Sequence, residues 1–145
     1  MIRPITAADA SSIRKINTEQ LGYEVSEAVI NRQLEKLLND PKHHFFAVCV
    51  DDQTQLLIGY IHAQVYDTLY AAPLFNVLAL AVDDQVHRQG VGSQLMSALE
   101  TEAKRRDIET IRVASGESRT KAHLFYEKIG FVSNKFQKHF LKKVN

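Results

Sequence analysis

The sequence predicts an α/β (α+β) domain in which helices cover both faces of one mixed sheet. Apolar residues recur with strand-like spacing in some segments and with helix-like spacing in others. The predicted order is strand, helix, helix, three strands, helix, strand, helix, strand. Successive strands favour antiparallel pairing, whereas a strand–helix–strand unit favours a parallel pair. We therefore expect a mixed, mostly antiparallel sheet of six to seven strands.

The first part of the chain predicts one short strand and two helices. Residues 2–6 form the strand, and Thr6 followed by Asp9 is typical of a helix start. The sequence Leu-Gly-Tyr-Glu at 21–24 ends this first helix. Ser26 then caps a second helix, whose apolar side chains recur at helical spacing.

Three strands follow, at residues 45–50, 56–66 and 74–82. The third is apolar almost throughout, which is typical of a central strand buried on both faces. A polar loop separates it from an amphipathic helix that begins near Gly90.

The last part of the chain predicts a strand at 109–114 and a helix at 119–129. Gly130 ends this helix, because glycine readily adopts the left-handed conformation that follows a last helical turn. Residues 131–142 then supply the final one or two strands.

Length and composition indicate one domain, residues 1–145, with a core that needs no metal or disulfide. The net charge of +1 selects neither nucleic acid nor membrane as a partner. No apolar run reaches the length of about 18 residues that a membrane span needs. The N-terminus lacks the apolar core of a signal peptide. We therefore expect a cytoplasmic location, and we interpret Cys49 as a small buried side chain.

The segment from Val82 to Ser93 predicts a phosphate-binding loop. A helix start presents unpaired N–H groups and a positive dipole end, and Gly90 and Gly92 leave room for a phosphate there. Arg88 adds a positive charge. The other interpretation is that Gly90 and Gly92 serve helix packing alone. The Walker A and dinucleotide patterns are absent.

Two motifs make the chain resemble the GNAT superfamily of N-acetyltransferases over nearly its whole length. The run LALAVDDQVHRQGVG is similar to the family's Arg/Gln-x-x-Gly-x-Gly/Ala pattern after a buried strand. The run AHLFYEKIGF at 122–131 matches the pattern Ala-x-x-Phe-Tyr-x-x-x-Gly-Phe. The sequence Leu-Gly-Tyr at 21–23 and the run SRTKAHLFYEKIGF at 118–131 also look similar to small-molecule acetyltransferases, including aminoglycoside-type relatives.

The resemblance implies that acetyl-CoA lies between two splayed central parallel strands, near 77–82 and 111–114. Main-chain groups of the first strand would hold its pantetheine arm, and amides of the glycine loop its pyrophosphate. The cofactor contacts implied in this way are those of Leu80, Ala81, Val82, His87, Arg88, Gln89, Gly90, Val91, Gly92, Ser93, Arg119, Ala122 and Phe125.

The chain departs from the family pattern at three positions. His87 stands where arginine or glutamine is usual, so a side-chain contact there is in question. Arg119 stands where many relatives have asparagine, and it either reaches a cofactor phosphate or lies on the surface. Leu78 stands where many relatives have a glutamate as general base. The resemblance therefore does not identify a general base in this chain.

Tyr126 is the catalytic residue that the second motif implies. The expected reaction is direct attack of a neutral primary amine on the thioester, and the leaving sulfur then needs a hydrogen-bond donor. A phenol has a pKa of about 10 and a thiol about 8.5, which favours a hydrogen bond over early proton transfer. The other interpretation makes Tyr126 a packed core residue. A main-chain N–H near Val82 would stabilise the carbonyl oxygen.

The general base and the acceptor stay open. Tyr23, Glu24 and Asn76 are the candidate acceptor contacts, and Glu24, Asn76, His62, Asp67 or a water chain are the candidates for the base. The acceptor is the amine of a small molecule or of a peptide. A non-enzymatic acyl-CoA-binding regulatory module is the alternative function, and a homodimer through the last strands is a further expectation. No metal is predicted, because the histidines lack ligand spacing.

Overall fold

The computed structural model of the chain describes residues 1–85 and 90–145. Contacts divide the described residues into two units, Met1–Ala114 and Ser115–Asn145. The predicted cofactor contacts of His87, Arg88 and Gln89 lie outside the described residues.

The first unit contains a five-stranded sheet whose strands lie side by side in chain order. The first three pairings are antiparallel and the last is parallel, which confirms the predicted mixed and mostly antiparallel sheet. The strands are β1 (Ile2–Arg3), β2 (His44–Val50), β3 (Leu57–Tyr66), β4 (Leu74–Val82) and β5 (Ile111–Val113).

Three of the described α-helices belong to the first unit and one to the second. They are α1 (Ala10–Ile16), α2 (Glu27–Leu38), α3 (Val91–Arg105) and α4 (Thr120–Lys128). A π-helical turn, Asn17–Leu21, extends α1. Its end at Gly22, with φ of 74°, is the predicted break. The Ser26 Oγ accepts a hydrogen bond from the Val29 N–H at 3.2 Å, so the predicted cap of α2 is confirmed. Among the described helices, none is both long and apolar enough to cross a membrane.

Helices cover both faces of the sheet, as predicted. On one face, Ile13 of α1 and Leu34 of α2 belong to the same buried cluster as Val48 and Tyr60. Consecutive strand residues point to opposite faces. Gly59, next to Tyr60, accordingly faces α3, which buries a row of apolar side chains. These are Val91, Leu95, Met96, Leu99 and Ala103.

A partly buried ion pair connects β1 to the start of the first helix. Both nitrogens of the Arg3 guanidinium donate to the Asp9 carboxylate, at 2.8 and 2.9 Å. The Thr6 N–H donates to the same carboxylate at 2.8 Å, as the spacing of these two residues predicts for a helix start. The hydrogen bond from Arg3 holds the pKa of Asp9 below its usual range, because it stabilises the charged form.

The prediction of one or two final strands at 131–142 was wrong. The second unit consists of α4 and a C-terminal segment, residues 131–145, in which no strand forms. Val132 and Phe136 are each 87% exposed and Phe140 is 88% exposed. Alternating side chains favour a strand only where a neighbouring strand supplies hydrogen bonds. The described sheet therefore has five strands instead of six or seven.

We predict that Gly59→Ala destabilises the protein by about 1–3 kcal/mol, because α3 lies too close for an added methyl group. A β-carbon on Gly59 would lie 3.0 Å from Val91 Cγ1, 3.1 Å from the Ala81 carbonyl oxygen and 3.2 Å from Leu95 Cδ1. The measurement is the free energy of unfolding in urea. Gly116→Ala is the matched control, since its β-carbon would meet no atom closer than 3.8 Å. Equal stability of the two variants would contradict the prediction.

Candidate active site

The parallel pairing between β4 and β5 is short and leaves one side of β4 open. It runs from Phe75 opposite Ile111 to Val77 opposite Val113. Among the described residues, no strand pairs with residues 78–82 on that side. At about 3.3 Å per residue, this open stretch is roughly 16 Å long. It offers main-chain donors and acceptors in the middle of the fold.

A β-bulge marks the start of the open stretch. His62 of β3 pairs with Ala79 and Ala63 pairs with Val77, so Leu78 is an extra residue without a partner on β3. A bulge bends its strand and redirects the side chain that it carries. Leu78 is 48% exposed. The position where many relatives have a glutamate thus carries an exposed apolar side chain here.

The start of α3 can accept an anion. Gly90 adopts the left-handed conformation, with φ of 69°, and provides no side chain that caps the helix. The N–H groups of Val91, Gly92 and Ser93 lie in the first turn, where a helix has no carbonyl partner for them. A β-carbon on Gly90 would meet no atom of the described residues within 4 Å. These residues fit the pyrophosphate group of coenzyme A.

The predicted pantetheine contacts lie on the open stretch of β4. Leu80 and Val82 are partly buried and pair with Ile61 and Gly59 of β3 on their other side, while Ala81 is buried. These three residues thus lie together on one strand, which ends at Val82, eight positions before Gly90.

Tyr126 lies in an aromatic cluster of the second unit. Its ring meets those of Phe125 and Phe131 edge-on, with centroids 5.5 and 5.7 Å away, and only 8% of the residue is exposed. Burial raises the pKa of the phenol, and the charge of Arg119 opposes this only in part. Tyr126 is therefore protonated at neutral pH and available as a hydrogen-bond donor. Its burial also fits the interpretation as a core residue.

The other predicted cofactor contacts of the second unit surround the start of α4. Arg119 precedes the helix and is exposed, while Ala122 and Phe125 are partly buried. The His123 Nε2 lies 2.9 Å from the Gly116 carbonyl oxygen and so connects the helix to the preceding turn.

The predicted acceptor contacts are spread over two elements. Tyr23 is 62% exposed and Glu24 is exposed, both just after the π-helical turn. Asn76 lies on β4, where its side chain accepts a hydrogen bond from Arg112. Inside the fold, the Tyr60 hydroxyl donates to Asn17 Oδ1 of the same turn, and burial raises the pKa of Tyr60 to about 12.

His62 is a partly buried candidate base. Its Nε2 lies 2.9 Å from His44 Nδ1, and its ring stacks on Phe46 with centroids 4.1 Å apart. Burial, with a smaller contribution from His44, lowers the pKa of His62 to about 4. Its imidazole is therefore neutral at pH 7. Asp67 follows β3 and is exposed. In the described part of the chain, no group of three or more His, Cys, Asp or Glu side chains is arranged to hold a metal ion.

Arg112 is a site residue that sequence reasoning missed. It lies on β5 opposite Asn76, and its Nε donates to the Asn76 Oδ1 at 3.1 Å. Its guanidinium carbon lies 4.2 Å from the centroid of the Tyr66 ring. The signal available in the sequence was one arginine between two apolar residues, Ile111 and Val113, in a short strand.

Comparison with known proteins identifies the family and the fold. Residues 10–131 match the Acetyltransferase (GNAT) family, a match that extends over parts of both units. No curated protein matches the chain in sequence.

Several solved structures share the fold at low sequence identity. The aminoglycoside 6'-N-acetyltransferase AAC(6')-Ih from Acinetobacter baumannii is 18% identical, with a TM-score of 0.85 and coverage of 100% of this chain and 99% of that chain. AAC(6')-IG from Acinetobacter haemolyticus is also 18% identical, with a TM-score of 0.83 and the same coverage. AAC(6')-Iy, solved with the bisubstrate analogue CoA-S-monomethyl-acetylneamine, is 16% identical, with a TM-score of 0.84 and coverage of 99% and 97%.

Acetyl-CoA is the acyl donor of this family, and the open stretch of β4 and the uncapped start of α3 suit it. Because the family match covers most of its length, the chain belongs to the Acetyltransferase (GNAT) family.

Proposed function

We propose that this chain transfers the acetyl group of acetyl-CoA to a primary amine of a small molecule or peptide, by direct attack of the amine on the thioester. One observation carries the proposal: pairing of β4 with β5 ends after Val77, and the chain then leads to the uncapped start of α3 at Gly90. A strand with one open side suits an extended amide chain, and a helix start suits a diphosphate.

The proposed donor site uses mainly main-chain groups. Leu80 and Val82, with Ala81 between them, would bind the pantetheine arm as an added strand. The N–H groups of the first turn of α3 would bind the pyrophosphate. The remaining contacts of the proposed site are those of His87, Arg88, Gln89, Arg119, Ala122 and Phe125.

When bound, acetyl-CoA supplies the thioester at which the amine attacks. The amine nitrogen bonds to the carbonyl carbon, the carbon–sulfur bond breaks, and the amine loses a proton. A main-chain N–H near Val82 would donate to the carbonyl oxygen as negative charge develops. The Tyr126 hydroxyl would donate to the leaving sulfur. Because burial raises its pKa, a hydrogen bond is favoured over full proton transfer.

In this proposal, a group other than His62 takes the proton that the attacking amine loses. With a pKa of about 4, His62 is poorly matched to an amine, whose pKa is far higher. Asn76 has no basic group, and its oxygen already accepts from Arg112. Glu24 and Asp67 are exposed carboxylates that remain candidates, directly or through water. Tyr23 and Glu24 are the proposed acceptor contacts beside the π-helical turn.

We also propose that the chain forms one acetyltransferase domain that assembles as a homodimer through its C-terminal segment. Val132, Phe136, Phe140 and Val144 recur every four residues, so an extended segment carries them on one face, and all are at least 87% exposed. The segment also carries four lysines and no acidic side chain.

A surface cavity on the first unit of a second copy suits this segment. Its volume is about 460 Å³, and Ala103, Ile108 and Ile111 form its apolar part. Three of the lining residues, Glu100, Asp107 and Glu109, are acidic, and only one, Lys104, is basic. Opposite charges and matching apolar side chains support a second copy as the occupant. A cytoplasmic location is proposed with this function, because the reaction needs acetyl-CoA.

We predict that the chain releases thiol from acetyl-CoA in the presence of a primary amine, and that Tyr126→Phe lowers turnover by roughly 100-fold. The reason is the loss of a hydrogen-bond donor at the leaving sulfur. Thiol release across a panel of amines measures the rate, and calorimetry measures coenzyme A affinity, which should change little.

Tyr70→Phe is the matched control, because Tyr70 is 82% exposed and has no role in the proposed site. Unchanged turnover in Tyr126→Phe would remove Tyr126 from the mechanism. Binding of acetyl-CoA without thiol release for any amine would instead favour the acyl-CoA-binding regulatory module.

We predict that the free energy of unfolding falls as the pH drops from about 6.5 to about 4, by up to about 3 kcal/mol from His62 alone. The folded state holds His62 neutral, with a pKa of about 4, while the unfolded chain binds a proton near 6.5. Replacing His62 by Phe keeps a ring on Phe46 and should flatten this slope. Urea unfolding at a series of pH values measures it, and an unchanged slope would contradict the assignment.

We predict that wild-type protein is a dimer and that Phe136→Lys with Phe140→Lys makes it monomeric, because charged side chains would replace the apolar contacts. Light scattering after size-exclusion chromatography measures the mass. Leu69→Lys, at a fully exposed leucine of the first unit, should leave the dimer intact. A monomeric wild-type protein at micromolar concentration would overturn the dimer.

A further inference from the structure

One face of the sheet carries a group of polar side chains beside the end of the β4–β5 pairing. Asn76 of β4 lies opposite Gln64 of β3 and opposite Arg112 of β5. Residues opposite each other on neighbouring strands share a face. Tyr66, two residues after Gln64, lies on the same face and contacts the Arg112 guanidinium. Because side chains alternate along β3, Gln64 and Tyr66 lie on the same face of the sheet as Tyr60. Helices α1 and α2 cover that face near Tyr60.

Arg112 is a partly buried cation without an acidic partner. Among the described residues, no aspartate or glutamate forms an ion pair with it, and its only hydrogen bond there is the one from Nε to Asn76. Arg3 and Arg106, by contrast, bind Asp9 at 2.8 Å and Glu102 at 2.6 Å. Partial burial of a charge costs free energy unless an opposite charge compensates it. An anion that comes from outside the chain would supply this compensation.

Two contacts orient the Arg112 guanidinium so that its two terminal nitrogens can bind a planar anion. The hydrogen bond to Asn76 holds one edge of the guanidinium, and the Tyr66 ring covers one face of it at 4.2 Å. The other edge remains for a ligand. A carboxylate matches this edge with two parallel N–H···O hydrogen bonds.

Arg112 also lies at a suitable distance from the proposed reaction. Asn76 precedes Leu78, the first residue of the open stretch, by two positions, which is about 7 Å along the strand. A molecule whose amine reaches the thioester at the open stretch can therefore place a group on Arg112 only a few bonds away. This step rests on the proposed function.

We propose that Arg112 binds a carboxylate of the acceptor, so that the acceptors of this enzyme are primary amines with a carboxylate a few bonds from the nitrogen. Amino acids and short compounds related to them have this chemistry. Polycationic aminoglycosides lack it, and their ammonium groups would meet the positive charge of Arg112. Asn76 and Tyr66 are positioning residues that hold the guanidinium.

Matched pairs of acceptors test the proposal. Amino acids and their carboxamides are compared at equal concentrations of neutral amine, with neamine and O-phosphoethanolamine as further acceptors. For wild-type protein we expect kcat/KM to favour the carboxylate by roughly 10- to 100-fold. Arg112→Gln should remove this preference, mainly by raising KM for the carboxylates. Arg112→Lys should retain part of it, because the charge remains and the planar pair of donors does not.

Arg32→Gln is the matched control, since Arg32 is exposed on α2. Calorimetry gives a readout besides activity: the carboxylate should bind the coenzyme A-loaded wild-type protein and bind Arg112→Gln at least 10-fold more weakly. If Arg112→Gln does not fold, the proposal is tested by the preference of the wild-type protein for carboxylates over carboxamides and by the partial loss of that preference in Arg112→Lys.

Equal rates for carboxylates and carboxamides in wild-type protein would overturn the assignment of Arg112 while leaving acetyl transfer intact. A preference for neamine or for O-phosphoethanolamine would overturn it as well. Failure of every acceptor together with failure to bind coenzyme A would instead contradict the proposed function itself.

Discussion

The end of hydrogen-bonded pairing between β4 and β5 is the constraint on which the rest of the structure depends. Two parallel strands pair for only three residues, 75–77, and one side of residues 78–82 then has no strand partner in the described sheet. Unpaired main-chain groups inside a protein cost free energy, so a ligand that pairs with them is bound favourably. The bulge at Leu78 lies where the two strands cease to pair, which fits the frequent occurrence of bulges beside functional sites.

A second contact sets the start of α3 against the sheet. Gly59 has no side chain, and Val91 and Leu95 occupy the space that a β-carbon would need. The helix therefore lies directly on β3, and its first N–H groups are held at a defined position without a capping side chain. A main-chain site of this kind tolerates different side chains around it.

The structures that share the fold do not identify the acceptor of this chain. The aminoglycoside acetyltransferases are at most 18% identical to it, and likeness at that level shows the fold and not the acceptor. Here the polar group beside the open stretch contains a cation, Arg112, which contacts Asn76 and Tyr66. The nearby His62 is neutral. The proposed acceptor therefore rests on these side chains and not on overall similarity.

The sequence by itself determined what local patterns encode. Alternation and helical spacing predicted the order of the elements up to α4, Ser26 marked the cap of α2, and Gly90 marked the start of α3, because each depends on residues close in the chain. Only the tertiary structure decided what depends on distant residues. Arg112 meets Asn76 through strand register, and His62 loses its basicity through burial beside His44. The alternating C-terminal segment forms no strand, since hydrogen-bond partners for a strand must come from elsewhere in the fold.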